Sequence, residues 1–184
     1  MAMGREALVI GGSGMLAGVS LWLQEAGYHV AVIGRDRKKL QALVERSGRP
    51  EGFSLLPVDY HQTDRFREVV ASLVRERGGI DLVVAWIHST APHALPAVQQ
   101  ELSAQRRTWR LFHVCGSRAY KEPPRVADVP NCLYRRILLG FRLQGDDSRW
   151  LTNEEITVGV RAAIQGDLPF SVVGQVEPWD RRPV

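Results

Sequence analysis

The chain has 184 residues, 45% hydrophobic and 24% charged, with a formal charge of +4 and only two cysteines. That mixture excludes a disordered or disulfide-stapled protein and fits one globular domain spanning residues 1–184. The excess of basic residues is small and interleaved with acids, which argues against a nucleic-acid surface.

Ala7 to Ile10 reads as a first strand, too short for a secretory core or a membrane span, so a cytoplasmic protein off the membrane is expected. Glycines follow at once. Met15, Leu16, Val19, Leu23 and Ala26 then recur at helical spacing up to Gly27. His29 to Ile33 is a β-branched second strand, and Lys38 to Arg46 a helix with Leu40 and Val44 inward. Phe53 to Val58 is a third strand with an irregular end at Pro57. Thr63 or Asp64 caps a helix whose stripe is Phe66, Val69, Val70, Leu73 and Val74.

Ile80 to Ile87 is almost wholly apolar, as a central parallel strand must be. A helix opened by Pro96 carries Leu95, Val98 and Leu102, and a strand follows from Trp109 to Cys115. The pattern then breaks. Gly116 to Asn131 holds Pro123, Pro124 and Pro130 with no apolar period, so a loop stands where a crossover helix belongs. Cys132 to Leu143 is the next strand. Thr152 and Glu155 have the spacing of a capping box before a helix with Ile156, Val160, Ala163 and Ile164, and Phe170 to Val176 is the last strand. This alternation predicts a doubly wound parallel sheet of about seven strands, a Rossmann-type α/β fold lacking one helix.

The chemical signal is Gly11-Gly12-Ser13-Gly14-Met15-Leu16-Ala17-Gly18, set between a strand and a helix. Glycine there allows a tight turn at Gly12 and Gly14 and brings backbone close to a pyrophosphate. Ala17 or Gly18 lets the helix pack on the strand, and the helix N-terminus offers N–H groups to phosphate. At the end of the second strand, Gly34 stands where a carboxylate would hold the ribose of NAD. Arg35 follows, with Arg37 close by, both suited to a 2′-phosphate. NADP is therefore expected over NAD. Asp36 keeps NAD open, and the alternative for both arginines is a solvated helix start.

These motifs resemble the short-chain dehydrogenase/reductase family, in the glycine turn, in Gly34-Arg35-Asp36-Arg37-Lys38-Lys39-Leu40, and in the strand Ile80 to Val84. The last strand, Val173-Gly174-Gln175-Val176, is similar too. The resemblance implies that Asp59 contacts adenine and that Ser117 stands for the family's serine. From their neighbourhood, Tyr60 and His61 flank the adenine. Where the family reads NNAG, this chain has Ala85-Trp86-Ile87-His88, and no Tyr-x-x-x-Lys occurs after Ser117. Tyr120 and Lys121 are adjacent and so point apart.

His88, at a strand end expected near the nicotinamide, is a candidate acid, against a framework role. His93 belongs to a helix start and Trp86 to the core. No cysteine or histidine spacing suggests a metal. Two functions follow: an atypical NADP-dependent oxidoreductase acting on a small carbonyl or alcohol through His88, Ser117 or Tyr120, or a noncatalytic NADP-binding sensor. The missing helix should leave apolar sheet uncovered, which predicts a homodimer.

Overall fold

The computed structural model describes residues 4–184. Seven strands form one all-parallel sheet in the order β3-β2-β1-β4-β5-β6-β9. They are β1 (Arg5–Ile10), β2 (Tyr28–Gly34), β3 (Phe53–Pro57), β4 (Leu82–Trp86), β5 (Trp109–Gly116), β6 (Cys132–Leu139) and β9 (Phe170–Val173). The strand order reverses between β1 and β4, which is the switch point of a doubly wound sheet.

Helices α1 (Ala17–Glu25), α2 (Arg37–Ser47) and α5 (Asn153–Gly166) supply the first core, against the Val9, Val32, Val84, Phe112 and Ile137 face. Helices α3 (Thr63–Arg77) and α4 (Ala94–Ser103) cover the other face, made by Leu8, Ile33, Val83 and Leu111. Both faces of β1 and β4 are buried, which is why these strands read as unbroken apolar runs.

Several boundaries differ from the predicted ones. The cap position of α3 falls on Gln62, and Thr63 and Asp64 are already helical; no side chain caps this end. Asp64 instead acts as a first-turn acid on the helix dipole. Pro57 ends β3 without harm because β3 is the sheet edge, where a missing N–H breaks no ladder.

The strand expected from Cys132 to Leu143 is two strands. Gly140 passes so close to the Gln175 backbone that a side chain has no room. The chain turns there into an antiparallel hairpin, β7 (Phe141–Gln144) and β8 (Asp147–Trp150), closed through Gly145 at φ +60°. The last strand is correspondingly shorter, ending at Val173. The capping box at Thr152 is present in full, with Thr152 accepting from the Glu155 N–H and Glu155 from the Thr152 N–H.

β5 and β6 pair directly in parallel, and the connection between them holds a single 3-10 turn, Ser117–Tyr120, and no α-helix. Yet the sheet beneath is not left wet. Trp109 and Leu111 are fully buried and Leu138 is 1% exposed. Val126 of the loop packs on this cluster, Gln99 of α4 donates to the Ala127 carbonyl at 3.0 Å, and the Asn131 amide donates to Gln105 O at 2.8 Å. The loop is laced to α4 by polar bonds and needs few large apolar side chains. The physical motive for a dimer across this face is thereby removed.

Candidate functional site

At the carboxyl end of β1 the chain turns through residues 11–16 before α1 begins. The tight turn is made by Gly11, at φ +82°, and by neither Gly12 nor Gly14, which lack the left-handed conformation. Gly12 is where the turn, β1, β2 and α1 converge: a Cβ there would lie 2.6 Å from Ser20 Oγ and 2.7 Å from Val9 Cγ1. Gly14 is the opposite case, since a Cβ would meet nothing within 4 Å. Gly18 does not serve helix-on-strand packing as expected. It lets α1 touch α5, where a side chain would strike Thr157.

The N–H groups of Gly12 to Leu16 make no backbone hydrogen bond among the described residues. They stand at the positive end of α1, a free set of donors beside the open face of Gly14. Substitutions separate the two glycines. Gly12→Ala should destabilise the fold by roughly 1–3 kcal/mol through overpacking, whereas Gly14→Ala should leave stability within about 0.5 kcal/mol. Urea unfolding of both variants checks this, and equal losses would contradict it.

The end of β2 lies beside this turn. A Cβ at Gly34 would fall 2.8 Å from Ser13 Oγ, so the hydroxyl occupies the space a strand-end acid would use. Asp36 is consumed as the cap of α2, accepting from the Lys38 and Lys39 N–H groups. The Arg35 side chain is 70% exposed and 3.9 Å from Asp59, its sole ion-pair contact among the described residues. Arg37, the first residue of α2, is exposed.

Asp59 Oδ1 accepts from both the N–H and Nδ1 of His61, at 2.9 and 2.7 Å, which holds its carboxyl below the usual range. His61 Nε2 lies 2.8 Å from Thr90 Oγ1, and the same hydroxyl is 2.9 Å from His88 Nδ1. Tyr60 stacks on His61 with ring centroids 5.0 Å apart, and its hydroxyl accepts from the His88 N–H at 3.2 Å. A polar chain thus runs from Arg35 to His88.

His88 opens onto a cavity of about 900 Å³ at the carboxyl ends of β4, β5 and β6. Met15 joins it to the glycine turn; Trp86, Leu95, Val126 and Leu139 give apolar wall, and Arg118, Arg125 and Arg182 add charge. Ser117 lines it too, 4% exposed, and its hydroxyl has no hydrogen-bond partner among the described residues. His88 and Ser117 therefore share one cavity.

Tyr120 does not line it. Its hydroxyl bonds Glu177, which raises its pKa, and its ring leans on Trp179 at 6.2 Å. Lys121 follows it to the same residues, 3.9 Å from Glu177 and 5.6 Å from the Trp179 ring. His93 is exposed at the start of α4. Trp86 is partly buried and bridges the sheet end, close to both Gly11 and Gly116.

Sequence reasoning missed His113, a buried cavity-lining residue of β5. The one signal was its position, alternating with Leu111 and Cys115 on a single face. Cys115 beside it is a buried thiol pushed up to about 12 by desolvation, and so unreactive. Among the described residues no group of three His, Cys, Asp or Glu could hold a metal ion, and no helix is long and apolar enough to cross a membrane.

No family model matches the chain. Over 84 residues, 44% of this chain and 33% of the relative, it is 40% identical to an uncharacterized oxidoreductase of Myxococcus xanthus (strain DK1622). The matched part is thus about a third of that relative's length. A short-chain type dehydrogenase/reductase from Mycobacterium marinum superposes with a TM-score of 0.72 over 95% of both chains, at 18% identity. An NAD+-bound xylitol dehydrogenase gives 0.61 at 19% identity, covering 89% of this chain and 78% of that one. The fold is that of the short-chain dehydrogenases/reductases, the family that the glycine turn resembles.

Proposed function

We propose that residues 1–184 act as one dinucleotide-binding unit that takes NADP on the 11–16 turn and moves hydride between it and a small carbonyl or alcohol compound. The observation that carries this reading is the joint geometry of the turn and the end of β2. Gly14 leaves open space beside free N–H groups, the position of a ribose-binding acid is filled by Ser13, Asp36 is spent on a helix cap, and Arg35 is exposed and loosely held. Arg35 and the first residues of α2 would hold the 2′-phosphate, and Asp59 would contact the adenine. When bound, NADPH would supply the hydride to a carbonyl, and NADP+ would accept it from an alcohol in the reverse direction. Ser117 would hold the substrate oxygen, and His88, whose Nδ1 is fixed by Thr90, would present Nε2 to exchange the proton at that oxygen.

Calorimetry with NADP and NAD tests the cofactor part. NADP should bind more tightly, and Arg35→Ala should weaken it by roughly 1–3 kcal/mol, the scale of a bond to a charged group, with little effect on NAD. Equal affinities untouched by the substitution would overturn it.

For the reaction, Tyr120→Phe should retain most reductase activity while His88→Ala and Ser117→Ala lose it by about 10²-fold or more, the usual scale of a lost acid–base group. A collapse confined to the tyrosine variant would reverse the assignment. The second reading, an NADP-binding sensor without chemistry, is favoured by one observation: Tyr120 and Lys121 are engaged with Glu177 and Trp179 away from the cavity. Tight NADP binding with no hydride transfer to any of a panel of aldehydes and ketones would select it. A cytoplasmic setting belongs to the same proposal. A homodimer belongs to the proposal as well; the β9 edge, where Phe170 and Val172 are exposed, offers it a surface, and sedimentation equilibrium measures it directly.

A further inference from the structure

The β5 wall of the cavity holds a second buried polar group, which the reading above leaves unused. His113 is 8% exposed and lines the cavity. Its Nδ1 lies 2.9 Å from the Tyr134 hydroxyl, with the two rings edge-on at 62°. No other hydrogen bond reaches the ring among the described residues, so Nε2 is left without a protein partner. An unpaired polar atom of a side chain this buried, set in the wall of a cavity, marks a place for a ligand atom.

The surroundings fix what that nitrogen offers. Burial, with Arg136 adding to it, drops the imidazole pKa to about 4, so the ring is neutral near pH 7. Burial also raises the Tyr134 pKa, which keeps its hydroxyl protonated and able to donate to His113 Nδ1. In that arrangement the ring proton stands on Nε2. Cys115 and Cys132, which act on the same pair, are thiols raised by burial and so neutral. Arg136 does not line the cavity, and the charged residues that do, Arg118, Glu122, Arg125 and Arg182, make no hydrogen bond to the His113 ring among the described residues. Leu95, Pro92, Pro124, Val126 and Ile87 make the walls opposite apolar.

We propose that His113 is a specificity-determining donor of this cavity, its Nε2–H receiving a second, neutral acceptor oxygen of a largely apolar carbonyl compound, distinct from the reacting oxygen assigned to Ser117 and His88. The carbonyl class rests on the proposed function, but the recognition itself needs no cofactor and is tested without one. The probes are 4-methoxyacetophenone and 4-ethylacetophenone, which have nearly the same shape and differ in whether the second oxygen is present. On cofactor-free protein, 4-methoxyacetophenone should bind at least fivefold more tightly than 4-ethylacetophenone, and His113→Phe should cut that preference below twofold.

In wild-type protein, nitrogen-15 spectra of the imidazoles should show His113 as the Nε2–H form, unprotonated until near pH 4, with its Nε2 resonance moving when 4-methoxyacetophenone is added. This measurement decides the matter even where His113→Phe fails to fold. Equal binding of the two probes, an Nδ1–H form, or an unmoved resonance each overturns the proposal. NADP titrated into the same preparation keeps the two readings apart. Loss of NADP binding with His113 still engaged overturns the cofactor assignment alone, and the reverse result overturns only the role of His113.

Discussion

Trp109→Ala should cost about 3–5 kcal/mol in urea unfolding, the range for truncating a fully buried aromatic. The residue opens β5 opposite Cys132, with none of its surface exposed, in the cluster that also holds Ile80, Val98 and Leu102. It lies where the sheet lacks a crossover helix, so its burial depends on α4 and on the loop drawn over it. The loop is tied at this point, since Trp109 N–H donates to the Asn131 carbonyl at 2.9 Å. The indole Nε1 is buried without a partner, so Trp109→Phe removes an unsatisfied donor along with some volume and should cost under about 1.5 kcal/mol. A loss below about 1.5 kcal/mol for the alanine variant would mean that the loop leaves β5 open, and the case for a dimer on that face would return.

Trp109 also shows where sequence reasoning stops. The parallel sheet was legible because its central strands are buried on both faces and its helices carry one apolar stripe each. The proline loop was legible because it has neither pattern. What the loop does was not, because its cover comes from backbone carbonyls and from Gln99 and Asn131, whose partners cannot be inferred from spacing. The hairpin at 141–150 was lost in the same way: Gly140 looks like any glycine until the Gln175 backbone is seen pressed against it.

The candidate site divides similarly. The glycine turn, Arg35 and the cluster about Asp59 stand at loop positions fixed by the strand–helix alternation, so numbering along the chain finds them. The assignment of tasks within the turn needed coordinates, because Gly11, Gly12 and Gly14 differ only in what surrounds them. Tyr120 was eligible by type and place, yet it points to Glu177, which lies 57 residues on and nowhere near it in sequence pattern. His113 sits in a strand otherwise apolar on its face, and its partner Tyr134 becomes a neighbour only through the β5–β6 register, in which Leu111 is opposite Tyr134 and His113 opposite Arg136.

That pair carries the second large effect, a loss of stability in acid. In the folded chain His113 protonates near pH 4, held down first by burial and then by Arg136, against an ordinary value of 6.5. Above pH 6.5 the imidazole is neutral in both the folded and unfolded chains, and its contribution to stability is complete. Between pH 6.5 and 4 the unfolded chain takes up a proton that the folded one refuses, so stability falls throughout that window and levels off below it. The gap corresponds to about 3 kcal/mol, an order-of-magnitude figure for a group this deeply buried. His29, whose pKa burial also lowers, and the carboxylates held low by their partners, such as Asp59 and Asp167, add to the acid sensitivity of any variant. A comparison isolates His113. Urea unfolding at pH 7.5, 6, 5 and 4 should show wild-type protein losing about 3 kcal/mol more than His113→Gln over the range, whatever the offset between them at pH 7.5. Curves that run parallel from pH 7.5 to 4 would mean that the imidazole meets water more freely than its 8% exposure implies.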